Sequence, residues 1–291
     1  MKLIKNIIPD VYGLMKNRDG WFTPELSGAL STDVAKRLSL HLNSGEGPGT
    51  LRLSKMGPMC PHALWHSVHH PELAEPLPPW AVIKYSYGHI LEALALCLIK
   101  AAGHEVTGEQ DELHVDGIVG HRDCVINGAV FDIKSTSTYG FKKFEEGTLW
   151  QDDSFGYLEQ LDGYVCGSLQ DPLVRIKDKA YLIAIDKQLG HMALYEHKFR
   201  EEHIRRRIAE YKAAVASVSA PACKCGTIPY GTSGNIALDL KASYSSFKHV
   251  CFPQLRTFLY SKGPVYLTKV IKRPESHIVE VDKEGRIVYG R

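Results

Sequence analysis

Seven cysteines among 291 residues, odd in number and mostly isolated, exclude a disulfide scaffold and point to a reducing compartment. Long apolar runs are missing. Residues 93–99 are the best uncharged stretch, far short of the ~18 residues that a membrane span needs. The opening Met1-Lys2-Leu3-Ile4-Lys5-Asn6 has no apolar stretch of the secretory kind, so a cytoplasmic protein that does not engage a membrane is expected. There is no repeat and no low-complexity tract. Between residues 241 and 274 there is no acidic residue at all, against seven basic ones. The remaining composition, 44% hydrophobic and 23% charged, excludes disorder, collagen and coiled coil. The length suits one large domain or two small ones.

Charge is unevenly placed. Residues 105–162 hold thirteen acidic and four basic residues. An acidic centre can hold cations. The basic tail, interleaved with Tyr244, Phe247, Phe252, Phe258, Tyr260 and Tyr266, can hold a polyanion.

Local signals predict the elements. Ser31-Thr32-Asp33 caps a helix to about Asn43, which Gly45-Glu46-Gly47-Pro48-Gly49 ends. Pro61 opens a short helix reaching His70. A long helix covers about 81–102, with Gly103 as its C-cap. Residues 104–119 read as extended, with a turn near 108–111. Residues 139–153 read as a loop, after which Ser154 caps a helix to about Ser168. Strands are expected at 179–186 and 191–197, then a helix over 200–218. The rest reads as irregular, with late strands around 265–270 and 277–288. The fold class is therefore α+β with a mixed sheet.

Asn127-Gly128 between two β-rich runs is a hairpin signal. A two-residue turn sets Cys124 opposite Phe131, Asp123 opposite Asp132 and His121 opposite Lys134. Alternation then puts His121, Asp123, Asp132 and Lys134 on one face and the apolar residues on the other. Two opposed carboxylates repel, and a divalent cation with oxygen ligands would relieve them. Lys134 points the same way, toward a phosphate or a water. That combination suits metal-assisted phosphodiester hydrolysis. Asp239-Leu240-Lys241 and Glu196-His197-Lys198 match the short Asp/Glu-x-Lys pattern too, without an opposing Asp.

These residues resemble the RecB-type branch of the PD-(D/E)xK nucleases, which includes phage exonucleases and CRISPR-associated four-cysteine nucleases. Four motifs occur in order: Gly88-His89-Ile90-Leu91-Glu92, Gly120-His121-Arg122-Asp123, Asp132-Ile133-Lys134, and Gln160-Leu161-Asp162-Gly163-Tyr164. The resemblance covers about 50–200. It implies a restriction-endonuclease-like core (helix, three strands, helix, strand) over 51–218. A helical N-terminal appendage, 1–50, and a basic extension, 219–291, would flank it. It implies a metal-dependent deoxyribonuclease, most simply a phage-type exonuclease, with Mg²⁺ or Mn²⁺ on Glu92, Asp123, Asp132 and the Ile133 carbonyl. Lys134 would then activate water. Gln160 and Tyr164 would face the site or the DNA backbone. Arg52, Ser54, Lys55, His121, Lys248 and Arg256 are expected on DNA. A single-strand annealing or recombination protein is the partner such an enzyme would have. The alternatives are a site- or structure-specific endonuclease and a zinc-containing nucleic-acid-binding module without hydrolysis.

The cysteines depart from the family. Many of its members carry a four-cysteine iron–sulfur cluster; Cys60 and Cys251 match two positions, but Ala242 and Ser245 stand at the other two. Loss of the cluster, with apolar packing around Tyr244, Phe247 and Phe252 in its place, is the favoured expectation. A rewired site on Cys60, Cys223, Cys225 and Cys251 is the rival, with structural zinc as its metal. His62, His66, His69 and His70 share helix faces at spacings that also permit a metal, although an amphipathic helix that merely carries histidines is the favoured expectation. Cys97, Cys124 and Cys166 read as buried, inert thiols.

Overall fold

A computed structural model describes residues 2–17, 20–43, 50–57, 59–275 and 278–289. Its helices are α1 (Ile7–Lys16), α2 (Pro24–Asn43), α3 (Leu53–Met56), α4 (Pro61–His69), α5 (Pro79–Ala101), α6 (Thr138–Glu145), α7 (Tyr157–Gly167), α8 (Glu201–Ala216), α9 (Leu240–Ser243) and α10 (Lys248–Cys251). Its first seven strands are β1 (Val106–Thr107), β2 (Glu112–Val115), β3 (Ile118–His121), β4 (Cys124–Ile126), β5 (Ala129–Thr136), β6 (Ile176–Asp186) and β7 (Met192–Lys198). Six more follow: β8 (Thr227–Tyr230), β9 (Asn235–Leu238), β10 (Arg256–Tyr260), β11 (Gly263–Lys269), β12 (Val279–Val281) and β13 (Ile287–Tyr289). The class is mixed α+β, and the chain divides into two compact units.

The first unit takes Met1–Gly47, Arg52–Ser54 and Pro78–Arg206. Its sheet has the order β1-β4-β5-β6-β7, with β5 and β6 parallel and the other pairs antiparallel. The hairpin register is the expected one, Cys124↔Phe131 through Ile126↔Ala129. Asn127 and Gly128 both take positive φ, +50° and +82°, as a tight two-residue hairpin turn demands. The apolar face of β5 and β6, with Phe131, Ile133, Ile183 and Ile185, packs with Leu96 and Ile99 of α5 and with Ile7 and Val11 of α1. Of the N-terminal helices, α1 supplies core and α2 packs on α5.

Several elements differ from expectation for local reasons. Helix α2 starts at Pro24, where Thr23 accepts the Leu26 N–H; Ser31 and Thr32 turn their hydroxyls back to the Ser27 and Gly28 carbonyls inside it. The glycine-rich stop at 45–49 lies outside the described residues. Residues 139–153 contain α6, capped by Ser137 through the Gly140 N–H. Asp153, not Ser154, caps α7 by accepting from Tyr157 and Leu158 N–H. Helix α5 is long and apolar enough to cross a membrane, with a mean hydropathy of 1.4 over its best window. That differs from the sequence reading, because a few scattered charges interrupt the run without lowering its average. Ala95, Leu96 and Ile99 of this helix are core residues.

The second unit takes Pro48–Leu51, Lys55–Leu77 and Arg207–Arg291. Here the expected irregular tail is a six-stranded sheet, β13-β12-β10-β11-β9-β8. Its centre is Phe258 with Ala237 and Leu267.

Candidate functional site

Strand β4 begins at Cys124, so Asp123 stands just ahead of it. Its carboxylate turns in and accepts the Ile133 N–H at 2.7 Å. The N–H and C=O of one strand residue point to the same edge, so the Ile133 carbonyl faces the Asp123 side. Asp132 is 1% exposed. Both its oxygens lack a hydrogen-bond partner among the described residues, although the Lys134 ammonium stands 2.7 Å away. Burial, then Asp132 and then Glu92, push the Asp123 carboxyl well above its ordinary range. Burial also raises Glu92, which Arg37 counteracts.

Glu92 sits on α5 and accepts from Arg37 Nη1 at 2.5 Å and from Gln110 Nε2 at 2.9 Å. Arg37 is itself buried, its Nε donating to Asp33. Sequence reasoning missed Arg37 and Gln110. The Asp33/Arg37 spacing of one helical turn was the available signal for the first.

Lys134 donates to Gln160 Oε1 at 3.2 Å, and Gln160 Nε2 donates to Tyr164 Oη at 2.6 Å. Its ammonium also stands over the Tyr157 ring, 4.9 Å from the centroid, a contact that no motif announces. Burial works against the charged lysine, yet Asp132 and Asp123 together hold its pKa above the ordinary value. Burial, then Asp132, raise Tyr164, so its phenol stays protonated. Helix α7 is anchored through Asp162, which holds His197 at 2.7 Å and accepts the Arg200 N–H at 3.1 Å. Glu92, Asp123, Asp132, Ile133, Lys134, Gln160 and Tyr164 thus all belong to the first unit.

Other expected residues lie elsewhere. His121 ends β3, which pairs with β2 and not with β5; its ring is 3.5 Å from Glu112. The chain leaves the expected register at Arg122, fully buried and paired with Asp111 and Asp171. Lys248 is buried and paired with Glu75. Arg256 holds Glu280 in a two-pronged pair at 2.7 and 2.9 Å. Each therefore has a carboxylate partner in the second unit. Arg52 and Ser54 are exposed and Lys55 is half-buried. Of the two decoys, Asp239 caps α9 and Glu196 pairs with Lys179.

The cysteines of the rival, rewired site come together. In the second unit Cys225 Sγ lies 3.1 Å from Cys60 and 3.5 Å from Cys251, which are 3.9 Å apart. With Cys223, the four sulfurs lie within 4.8 Å of one another. Hydrogen bonds from Cys225 and then Cys251 draw the Cys60 thiol far down. Ala242 is buried in a small cluster on which Cys225 packs, so Cys225 reaches the neighbourhood where position 242 has no thiol. The histidine helix serves this arrangement: on α4, His62, Trp65 and His69 bond the Pro221, Ser217 and Val215 carbonyls at 2.7, 2.9 and 2.8 Å. Those bonds fix the segment leading to Cys223. Cys97, Cys124 and Cys166 are buried, as expected.

No family model matches the chain, and no curated protein matches it. Solved structures do. A protein described as SSO0001 is 17% identical over 76% of this chain and 95% of its own, with a TM-score of 0.40. An alkaline exonuclease, LHK-Exo, from Laribacter hongkongensis is 14% identical over 62% and 91%, with a TM-score of 0.43. The same exonuclease in complex with dAMP gives 14%, 64%, 91% and 0.41. Likenesses of this size leave the function to be read from the residues.

Proposed function

We propose that this protein is a Mg²⁺- or Mn²⁺-dependent DNA nuclease of the RecB-type PD-(D/E)xK kind, on a restriction-endonuclease-like core, and that it acts as an exonuclease. The observation that carries this reading is the buried Asp132 carboxylate, with Oδ1 unpartnered and Oδ2 held only by the Lys134 ammonium at 2.7 Å, and with Asp123 and Glu92 beside it. A buried carboxylate oxygen without a hydrogen bond is costly unless something binds it. Asp132, Asp123, Glu92 and the Ile133 carbonyl would hold the ion. When bound it supplies a polarised water and neutralises charge on a phosphoryl oxygen.

The chain's own groups do the rest. Lys134, charged and held between Asp132 and Gln160, donates a hydrogen bond to an attacking water or a phosphate oxygen. Gln160, fixed by Tyr164, keeps that ammonium in place. Arg37 keeps Glu92 aimed and works against the burial that favours its proton. Linear DNA should be degraded with Mg²⁺ and spared with EDTA, while covalently closed circles should survive. A folded Asp132→Ala protein that degrades DNA near the wild-type rate would overturn the assignment, and cut circles would select the endonuclease.

The cysteine cluster is proposed as a structural zinc site. With Zn–S bonds of about 2.3 Å, a tetrahedron of thiolates has edges of roughly 3.8 Å, which the distances of 3.1, 3.5 and 3.9 Å bracket. A cube of iron and sulfide would hold four thiolates further apart. Protein purified without oxygen should be colourless with about one zinc per chain. A brown protein rich in iron would refute the zinc.

A further inference from the structure

A trough of ≈ 540 Å³ opens beside α5 in the first unit, lined by Lys84, Tyr87, Ile90, Leu91, Lys187 and Gln188. Two features set it apart from an ordinary apolar groove. Lys84 and Lys187 are both exposed. Among the described residues neither has a carboxylate partner, whereas Lys134, at the carboxylates, is paired with Asp132. Both line the same trough, and the Lys187 pKa is lowered, by burial first and by Lys84 next. Two ammonium groups gathered without a counter-charge make a place for an anion. Between them Tyr87 is 51% and Ile90 38% exposed, an aromatic and an aliphatic surface beside the cations.

The trough is aligned with the carboxylates. Lys84, Gly88 and Glu92 follow one another at i, i+4 and i+8, a single ridge of α5. Eight residues of helix rise about 12 Å, a short span for an extended nucleic-acid strand. At the midpoint Gly88 leaves the backbone bare. A Cβ there would stand 3.6 Å from Ser135 Oγ, the residue next to Lys134. The bare midpoint thus lies low against β5 between the lysines and Glu92.

We propose that this trough seats a single strand of DNA leading to the carboxylates, with Lys84 and Lys187 on its phosphates and Tyr87 stacked on a base. The proposal rests on the nuclease reading for its direction. Charge selects the occupant: an apolar partner, including a second copy of this chain, would have to bury two uncompensated ammonium groups. Single strands suit the chemistry because stacking on an aromatic needs an unpaired base face.

The test uses the full chain without added Mg²⁺ or Mn²⁺ and a fluorescent oligothymidylate, read by anisotropy over a salt series. Lys84→Ala/Lys187→Ala should flatten the log K against log salt slope by about 1.4, at ~0.7 per phosphate contact on a single strand. Tyr87→Ala should weaken binding roughly 5- to 150-fold, the range for one lost base stack, and Tyr87→Phe should restore it. Thermal melts of each variant check folding. An unchanged slope together with unchanged affinity in Tyr87→Ala overturns the trough, as does a Tyr87→Ala change seen only in the sedimentation of a dimer. Failure of the nuclease reading looks different: wild-type protein that binds the oligonucleotide through these residues, yet leaves DNA intact in Mg²⁺ and Mn²⁺, loses the chemistry and keeps the strand site.

Discussion

Three carboxylates share a buried space in the first unit, and their mutual repulsion is the central fact at the scale of residues. Asp123 feels burial, Asp132 and Glu92, all in the direction that favours its proton. Its pKa is therefore higher folded than unfolded. Between the ordinary aspartate value of about 3.9 and that raised value, the folded chain binds more protons than the unfolded chain. Stability must then fall as pH rises through this window. Asparagine at 123 keeps an oxygen for the Ile133 N–H and does not titrate. Asp123→Asn should equal the wild type in acid and exceed it increasingly as pH rises, in metal-free urea unfolding, while losing cleavage. A wild type that is the more stable at pH 8 would contradict this account of the site.

The same residues show what sequence could and could not convey. Glu92 is legible because a carboxylate interrupts Leu91, Ala93 and Leu94 on an apolar helix. Arg37, which holds it, is not, since a contact across 55 positions leaves no trace in local spacing. His121 is misplaced for a related reason. Counting back from Asn127-Gly128 assumes an unbroken strand. Burial of Arg122 against Asp111 and Asp171 turns the chain out of β4 and into a separate β2–β3 pair.

At the scale of elements, legibility follows the strength of the local code. Two residues with positive φ between alternating strands define β4–β5 from the sequence alone. Helix α6 is hidden because Thr138, Tyr139 and Gly140 are poor helix formers, and only Phe141 and Phe144 are buried. The strands of the second unit are short, and Pro229, Gly263 and Pro264 fall within them. The Cys223–Gly226 segment is likewise set by contacts with a residue distant in sequence, Asp239. A Cβ on Gly226 would meet Asp239 Oδ2 at 1.9 Å. Asp239 cannot simply move aside, because its other oxygen caps α9 through the Ala242 N–H at 2.7 Å. Its own N–H donates to the Gly226 carbonyl at 3.0 Å. Gly226→Ala should therefore cost about 1–3 kcal/mol, the range for overpacking. It should also loosen Cys223 and Cys225 from Cys60, so that a chelator removes zinc faster than from the wild type. Equal zinc loss from both proteins would detach this turn from the metal site.

At the scale of the whole molecule, the second unit is assembled from segments far apart in the chain. Lys55–Leu77 and Arg207–Arg291 are separated by most of the first unit's sequence, and Cys60 and Cys251 meet across 191 positions. Closing so long a loop costs conformational entropy. The α4 hydrogen bonds to 215–221 and the four thiols are where that closure is secured. A metal bound only by the folded arrangement adds its binding free energy to folding. The first unit has no such dependence, since its core rests on α1, α5 and the β4–β6 sheet. Zinc removal, or Cys225→Ser, should thus act on one unit. Amide hydrogen exchange should quicken across 59–77 and 207–275, with α4 and β9–β11 losing protection together. Strands β5 and β6 should exchange as before. Equal loss of protection in both units would mean that the two fold as one cooperative body and that the thiols stabilise the whole chain.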